Sequence, residues 1–172
     1  LIAGLAVAEA IEALTPVRTT VKWPNDIYIG GGKVCGVLMQ ARSAGNRTEF
    51  VNLGIGLNIS AMRAALPPGA TSLQIEAGLD IPVGEVERSV MDRLGHRYAA
   101  FLAASGEPSL DEWLTRARFL GEQVEIEQDG IRLAGTFIGV TAQGALLLEN
   151  ADGVNEIVSG DLTRGPRQRG DT

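Results

Sequence analysis

The residues that could do chemistry in this sequence are concentrated in one stretch. Val21-Lys22-Trp23-Pro24-Asn25-Asp26 is followed by Ile27-Tyr28-Ile29-Gly30-Gly31-Gly32-Lys33-Val34-Cys35-Gly36-Val37-Leu38. Of fifteen basic residues only Lys22 and Lys33 are lysines, so a chain that otherwise uses arginine has put both of its ammonium side chains here. A lysine ammonium is a compact point charge that sits against one carboxylate or phosphate oxygen, whereas arginine presents a planar fork. Anion binding is therefore the chemistry to test for. The plain alternative for Lys33 is a charged gatekeeper beside a hairpin turn, and spacing does not separate the two.

Glycines supply the second signal. Gly36 interrupts an apolar strand pattern, and Gly54-Ile55-Gly56 interrupts the strand that runs back. A glycine inside a strand is locally unfavourable and marks close approach by backbone or ligand. Two such strands side by side leave a shallow trough floored by backbone and open to a flat ring, although a bulge in each strand explains the spacing equally well. The Gly54–Gly56 pair is no dinucleotide fingerprint, because Ile59 stands where the third glycine would fall and no helix follows directly.

These residues need rigid supports, and the sequence supplies them. Residues 1–14 read as a helix with Leu1, Leu5, Ala8, Ile11 and Leu14 on one side and Glu9 and Glu12 exposed, ended by Thr15-Pro16. Residues 17–23 and 27–29 read as strands around a polar corner, Pro24-Asn25-Asp26, whose members are turn formers. Residues 33–41 and 49–57 read as a hairpin turning through Ser43 to Arg47. By alternation Lys33, Cys35, Val37 and Met39 share one face of that strand, and Val34, Gly36, Leu38 and Gln40 the other. A loop with Pro67-Pro68-Gly69 leads to a short helix over 73–77 capped by Ser72. A long helix follows over 83–104 with Val86, Val90, Leu94, Tyr98 and Phe101 at helical spacing, then another over 108–118. After Phe119-Leu120-Gly121 the pattern changes to short strands over 123–127, 131–140, 145–149 and 155–158. Turn signals at Asp129-Gly130, Ala142-Gln143-Gly144 and Asp152-Gly153 separate them, which predicts a small barrel.

Composition limits the function classes. With 172 residues and 45% hydrophobic content the chain can bury a core and hold one domain with a small second one. A net charge of −6 provides no basic field for nucleic acid. The single cysteine, Cys35, excludes an internal disulfide and reads as a small buried hydrophobe, which fits a reducing, cytoplasmic setting. No apolar run reaches the roughly 20 residues of a membrane span. His96 lacks partners at ligand spacing and reads as structural.

The blocks Lys22-Trp23-Pro24-Asn25-Asp26, Lys33-Val34-Cys35-Gly36-Val37-Leu38 and Gly54-Ile55-Gly56-Leu57-Asn58 resemble, in order and spacing, the catalytic domain of biotin–protein ligases. Gln143-Gly144-Ala145-Leu146-Leu147-Leu148 and Val158-Ser159-Gly160-Asp161 are similar to the SH3-like C-terminal domain of that family. The resemblance reaches about Thr163. It implies an α+β fold with a mixed or antiparallel sheet and packed helices: a partial class II synthetase-like catalytic domain over 1–120, an SH3-like barrel over 121–164 and a flexible tail over 165–172.

The resemblance also implies a reaction. Biotin and ATP, with Mg2+, would give biotinyl-5'-AMP and pyrophosphate, and biotin would pass to a lysine of the biotin carboxyl carrier protein of acetyl-CoA carboxylase. Lys33 matches the lysine between the biotin carboxylate and the phosphate. Gly36, Leu38, Gly54 and Gly56 would line the biotin trough, and Trp23, Asn25, Asp26 and Asn58 would lie near the adenylate. Asp26 is the one candidate for a magnesium contact; turn stabilisation by Asn25 and Asp26 and core packing by Trp23 stay open. A lipoate or octanoate ligase or transferase shares the fold and a corresponding lysine. A biotinyl-adenylate-responsive repressor would need an N-terminal winged helix, which alone would bring DNA contact, and a homodimer is compatible with the pattern. The first helix has no capping residue and no initiating Met, so the chain is expected to be a fragment. The family's glycine- and arginine-rich lid loop and its ureido-ring contacts are expected upstream of Leu1, leaving residues 1–172 alone weakly binding and nearly inactive.

Overall fold

The computed structural model describes residues 1–45, 47–108, 110–128 and 130–165. Helix α1 (Ile2–Leu14) leads into β1 (Thr19–Lys22), β2 (Asp26–Ile29), β3 (Gly32–Ala44) and β4 (Arg47–Leu57), a meander in the order β1-β2-β3-β4 with every pair antiparallel. After a 3-10 turn at Arg63–Ala65 come α2 (Leu73–Ala77), α3 (Val83–Ala103) and α4 (Leu110–Leu114). A second antiparallel sheet contains β5 (Gln123–Gln128), β6 (Ile131–Val140), β7 (Leu146–Asn150), β8 (Gly153–Ile157) and β9 (Asp161–Arg164), in the order β8-β7-β6-β5-β9. The expected α+β class is the observed one. No helix among the described residues is long and apolar enough to cross a membrane.

Helix α1 is buried on more sides than a single stripe predicts. Leu5, Ala6, Val7, Ala8, Ala10 and Ile11 are all covered, because the helix packs against α3 on one side and β1 and β2 on the other. Its few polar groups are bound. Glu12 accepts from the Thr19 N–H at 2.9 Å and the Thr19 hydroxyl at 2.7 Å, and meets Arg116 at 3.2 Å. Burial alone would push the Glu12 carboxyl up; those hydrogen bonds and the Arg116 charge win and hold it below the usual carboxylate range. Arg97 of α3 binds Glu9 of α1 and Glu112 of α4, so one guanidinium joins three helices.

Several sequence expectations change on contact with the tertiary structure. On α3, Val86 and Val90 are buried, but Tyr98 lies exposed outside the packed stripe. The helix expected over 108–118 ends at Leu114. The chain beyond it turns and bridges β1 at Ala117: Val21 donates to the Arg116 carbonyl at 2.8 Å, and Arg118 donates to the Val21 carbonyl at 2.8 Å. β1 is the edge of its sheet, so its backbone groups need partners more than this segment needs helical bonds. Ser72 caps α2 as expected, accepting from the Ile75 N–H at 3.3 Å. His96 is exposed.

In the second sheet Val124, Ile126, Phe137, Leu146, Leu148, Ile157 and Leu162 turn inward, so all five strands feed one core. Strand β9 was not anticipated; it pairs with β5 through Ile126 and Leu162. Of the expected tail, Gly165 still donates to the Gln123 carbonyl at 3.0 Å, and residues 166–172 lie outside the described residues. Among the described glycines the closest approach of neighbouring backbone is at Gly135, where an added Cβ would stand 2.4 Å from the Glu149 carbonyl oxygen. Gly135→Ala is therefore expected to destabilise the protein by about 1–3 kcal/mol in urea unfolding. An unchanged midpoint would show that β6 and β7 separate more readily than their packing indicates.

Candidate functional site

One cross-strand row builds the site. Lys22 of β1 stands opposite Asp26 of β2, Asp26 opposite Gly36 of β3, and Gly36 opposite Gly56 of β4. Residues in register present their side chains to the same face, so this row runs from a cation through a carboxylate to a floor of two glycines. The next row on that face pairs Leu38 with Gly54. A Cβ at Gly54 or Gly56 would meet nothing nearer than 3.7 Å, so the trough above these glycines is open.

Lys33 reaches this face through an irregularity that alternation could not reveal. Ile27 pairs with Cys35 and Tyr28 with Lys33, which leaves Val34 as an extra residue on β3. Such a β-bulge bends the strand and re-aims a neighbouring side chain. The expected grouping of Lys33 with Cys35, Val37 and Met39 is thereby corrected. The Lys33 ammonium lies above Gly36, 3.4 Å from where a Cβ would be, and 2.6 Å from Asp26 Oδ1. The close approach signalled by Gly36 is this side chain.

The Lys33 backbone is clamped as well. Its N–H donates to the Gly69 carbonyl at 2.8 Å, and its carbonyl accepts from the Thr71 N–H at 2.8 Å. Gly32 permits this approach, since a Cβ there would collide with Thr71 at 2.7 Å. Asn58 completes the support, donating from its backbone to the Val34 carbonyl at 2.9 Å and from its side chain to the Thr71 carbonyl at 3.0 Å. The 69–71 clamp was missed in the sequence, where Pro67-Pro68-Gly69 signalled only a loop.

The corner residues are tied down individually. Asn25 exchanges hydrogen bonds with Val37: its carbonyl accepts from the Val37 N–H at 2.9 Å and its side-chain amide donates to the Val37 carbonyl. Trp23 is 1% exposed and its indole N–H donates to the Gly144 carbonyl at 2.9 Å, so the ring packs between the two sheets. Lys22 Nζ meets Asp161 Oδ1 at 2.9 Å. The result is a cavity of about 350 Å³ lined by Lys22, Trp23, Pro24, Asn25, Asp26, Lys33, Gly36, Val37 and Leu38 from one sheet and by Gly160 and Asp161 from the other. That size suits a small ligand. Gly54, Gly56 and Asn58 lie outside this lining, the glycines along the same sheet face and Asn58 behind Lys33. Among the described residues no three acidic, His or Cys side chains cluster as a metal site.

Cys35 sits on the buried side of β3, 1% exposed. Burial, reinforced by the Asp26 charge and opposed by Lys33, pushes its thiol up to about 12. It should resist alkylation at pH 8 in the folded protein and react on unfolding; rapid native-state labelling would contradict this burial. The folded state keeps a proton that the unfolded thiol loses near 9, so this group makes stability fall as pH rises above about 9.

Comparison with known proteins follows the same division of the chain. Residues 1–58 match the family model described as "Biotin/lipoate A/B protein ligase family", and residues 119–162 match "Biotin protein ligase C terminal domain". A biotin–[acetyl-CoA-carboxylase] ligase of Paracoccus denitrificans is 32% identical, over 95% of this chain and 71% of that protein. A bifunctional ligase/repressor BirA of Bacillus spizizenii is 30% identical over 96% of this chain and 52% of its own length. The chain thus spans about half the length of that relative. The structure of an Aquifex aeolicus biotin protein ligase in complex with biotin and ATP superposes with a TM-score of 0.81 at 29% identity, covering 95% of this chain and 70% of the other.

Proposed function

The chain belongs to the biotin protein ligase family, and from that premise we propose that it is the part of a cytoplasmic biotin–protein ligase that carries the activating lysine. Residues 1–120 form the catalytic portion in this reading and 121–164 the C-terminal barrel. The observation that carries the reading is the Lys33 ammonium, held 2.6 Å from Asp26 above a floor of glycine backbone.

The proposed reaction has two steps. A biotin carboxylate oxygen attacks the α-phosphorus of ATP, the bond from phosphorus to the β-phosphate bridging oxygen breaks, and pyrophosphate leaves. The ε-amine of an acceptor lysine, on the biotin carboxyl carrier protein of acetyl-CoA carboxylase, then attacks the acyl carbon and AMP leaves. Two anions must meet in the first step, and charge builds on the phosphorus oxygens. Lys33 opposes that repulsion from a position that needs no reorganisation, because the bulge and the 69–71 clamp hold its backbone. Gly54 and Gly56 let a flat ring lie on the sheet, with Leu38 beside it, and Gly36 gives the Lys33 side chain its place at the edge of that ring. Asn25 and Asn58 keep the corner and β3 in register, and Trp23 seats the barrel against the corner.

Magnesium binds proteins through one or two carboxylates plus substrate phosphates. The residues present fit that pattern: Asp26, which lines the cavity, would offer its second oxygen to an ion arriving with ATP, which would supply further charge neutralisation.

Ligand choice tests the reading against lipoate or octanoate ligation. In the full-length protein biotin should support ATP–pyrophosphate exchange and lipoate should not; equal rates would move the assignment to the lipoate branch. Lys33→Ala should lower the adenylation rate on the order of 10²–10³-fold, as loss of a preorganised donor does. Lys33→Arg should recover only part, because the fork cannot occupy the same point above Gly36. A folded Ala variant with a wild-type rate, folding being checked by thermal melting, would remove Lys33 from the mechanism.

A further inference from the structure

The site contains a second lysine that the reaction above does not use. Lys22 begins the row whose other end is the glycine floor, and Lys33 lies between them above Gly36. Lys22 and Lys33 face the same cavity, each held by a carboxylate that also lines it. The two pairs differ in exposure. The Lys22 side chain is 13% exposed and its partner Asp161 76%. A nearly buried ammonium needs an anion beside it, whereas an exposed carboxylate is rehydrated cheaply when released. Exchange of Asp161 for an incoming phosphate oxygen would keep Lys22 paired and return Asp161 to water.

We propose that Lys22 is a second phosphate-binding cation of this site and that Asp161, on the barrel strand β9, is its exchange partner. The proposal rests on the ligase reading for the identity of the ligand. A flat ring over Gly54 and Gly56 puts its carboxylate toward Lys33 above Gly36, and the anionic groups beyond the α-phosphate then extend along the row toward Lys22. These are the β- and γ-phosphates, which become the leaving pyrophosphate. Nucleotide binding would thus break a contact between the sheets, so the barrel senses the triphosphate through Asp161.

Calorimetry on the full-length protein with ATP, AMP and pyrophosphate tests this, using wild type, Lys22→Gln, Lys22→Arg and Asp161→Asn. Lys22→Gln should weaken ATP and pyrophosphate on the order of tenfold or more while changing AMP far less, because AMP lacks the distal phosphates. Lys22→Arg, which keeps the charge if the Gln variant folds poorly, should restore part of the pyrophosphate affinity. Asp161→Asn removes a competitor and should tighten ATP. A purely structural pair predicts the opposite pattern, with both Lys22→Gln and Asp161→Asn weakening ATP and AMP alike, and that result would overturn the proposal, as would wild-type ATP affinity in Lys22→Gln. Biotin-dependent pyrophosphate exchange, measured in parallel, reports separately on the ligase reading. Its absence with Lys22-dependent ATP binding intact would sink that reading and leave the role of Lys22 standing.

Discussion

The structure turns on one extra residue in a strand. Without the bulge at Val34, alternation would send the Lys33 side chain to the buried face of Cys35 and Val37. A lone ammonium there would be desolvated against apolar neighbours, at a cost far above that of a bulge. With the bulge, the same residue stands over Gly36 beside Asp26 on the open face. Gly32, the Gly69–Thr71 segment and Asn58 all serve that arrangement, since each either permits or makes a backbone contact to the bulged strand.

The polar corner works as a joint as much as a site. Trp23 and Trp113 are the largest fully buried side chains among the described residues, and the one polar atom of Trp23 finds its acceptor on the barrel, at Gly144. A buried indole N–H left unpaired is costly, so the barrel turn and the corner hold each other in place. The Gly160–Asp161 turn approaches the same corner from another side, and Gly160 lies so close to Ile126 that an added Cβ would stand 2.7 Å away. The backbone of this turn is therefore seated against β5.

Charge at the site is balanced locally: two ammonium groups and two carboxylates line one cavity. The protein as a whole is acidic, with a net charge of −6, so an anionic ligand gains nothing from the long-range field and depends on these near contacts. This is consistent with cations placed by backbone geometry and not by a diffuse basic patch.

Local signals in the sequence determined the element types, the hairpin, the capped helix at Ser72, most barrel strands and the stretch that holds the site, because periodicity, turn residues and glycines act within a few residues. The concentration of both lysines near Asp26, Gly36 and the Gly54–Gly56 pair was legible on the same grounds. Only the tertiary structure decided the face to which Lys33 points, since a bulge is a property of two paired strands and leaves no mark on one. It alone ended α4 early, where the free edge of β1 recruited the following residues, and it alone revealed β9, whose four residues need β5 as a partner. The meeting of Lys22 with Asp161 across 139 positions of chain likewise depends on how the two sheets pack, a distance over which no spacing rule carries information.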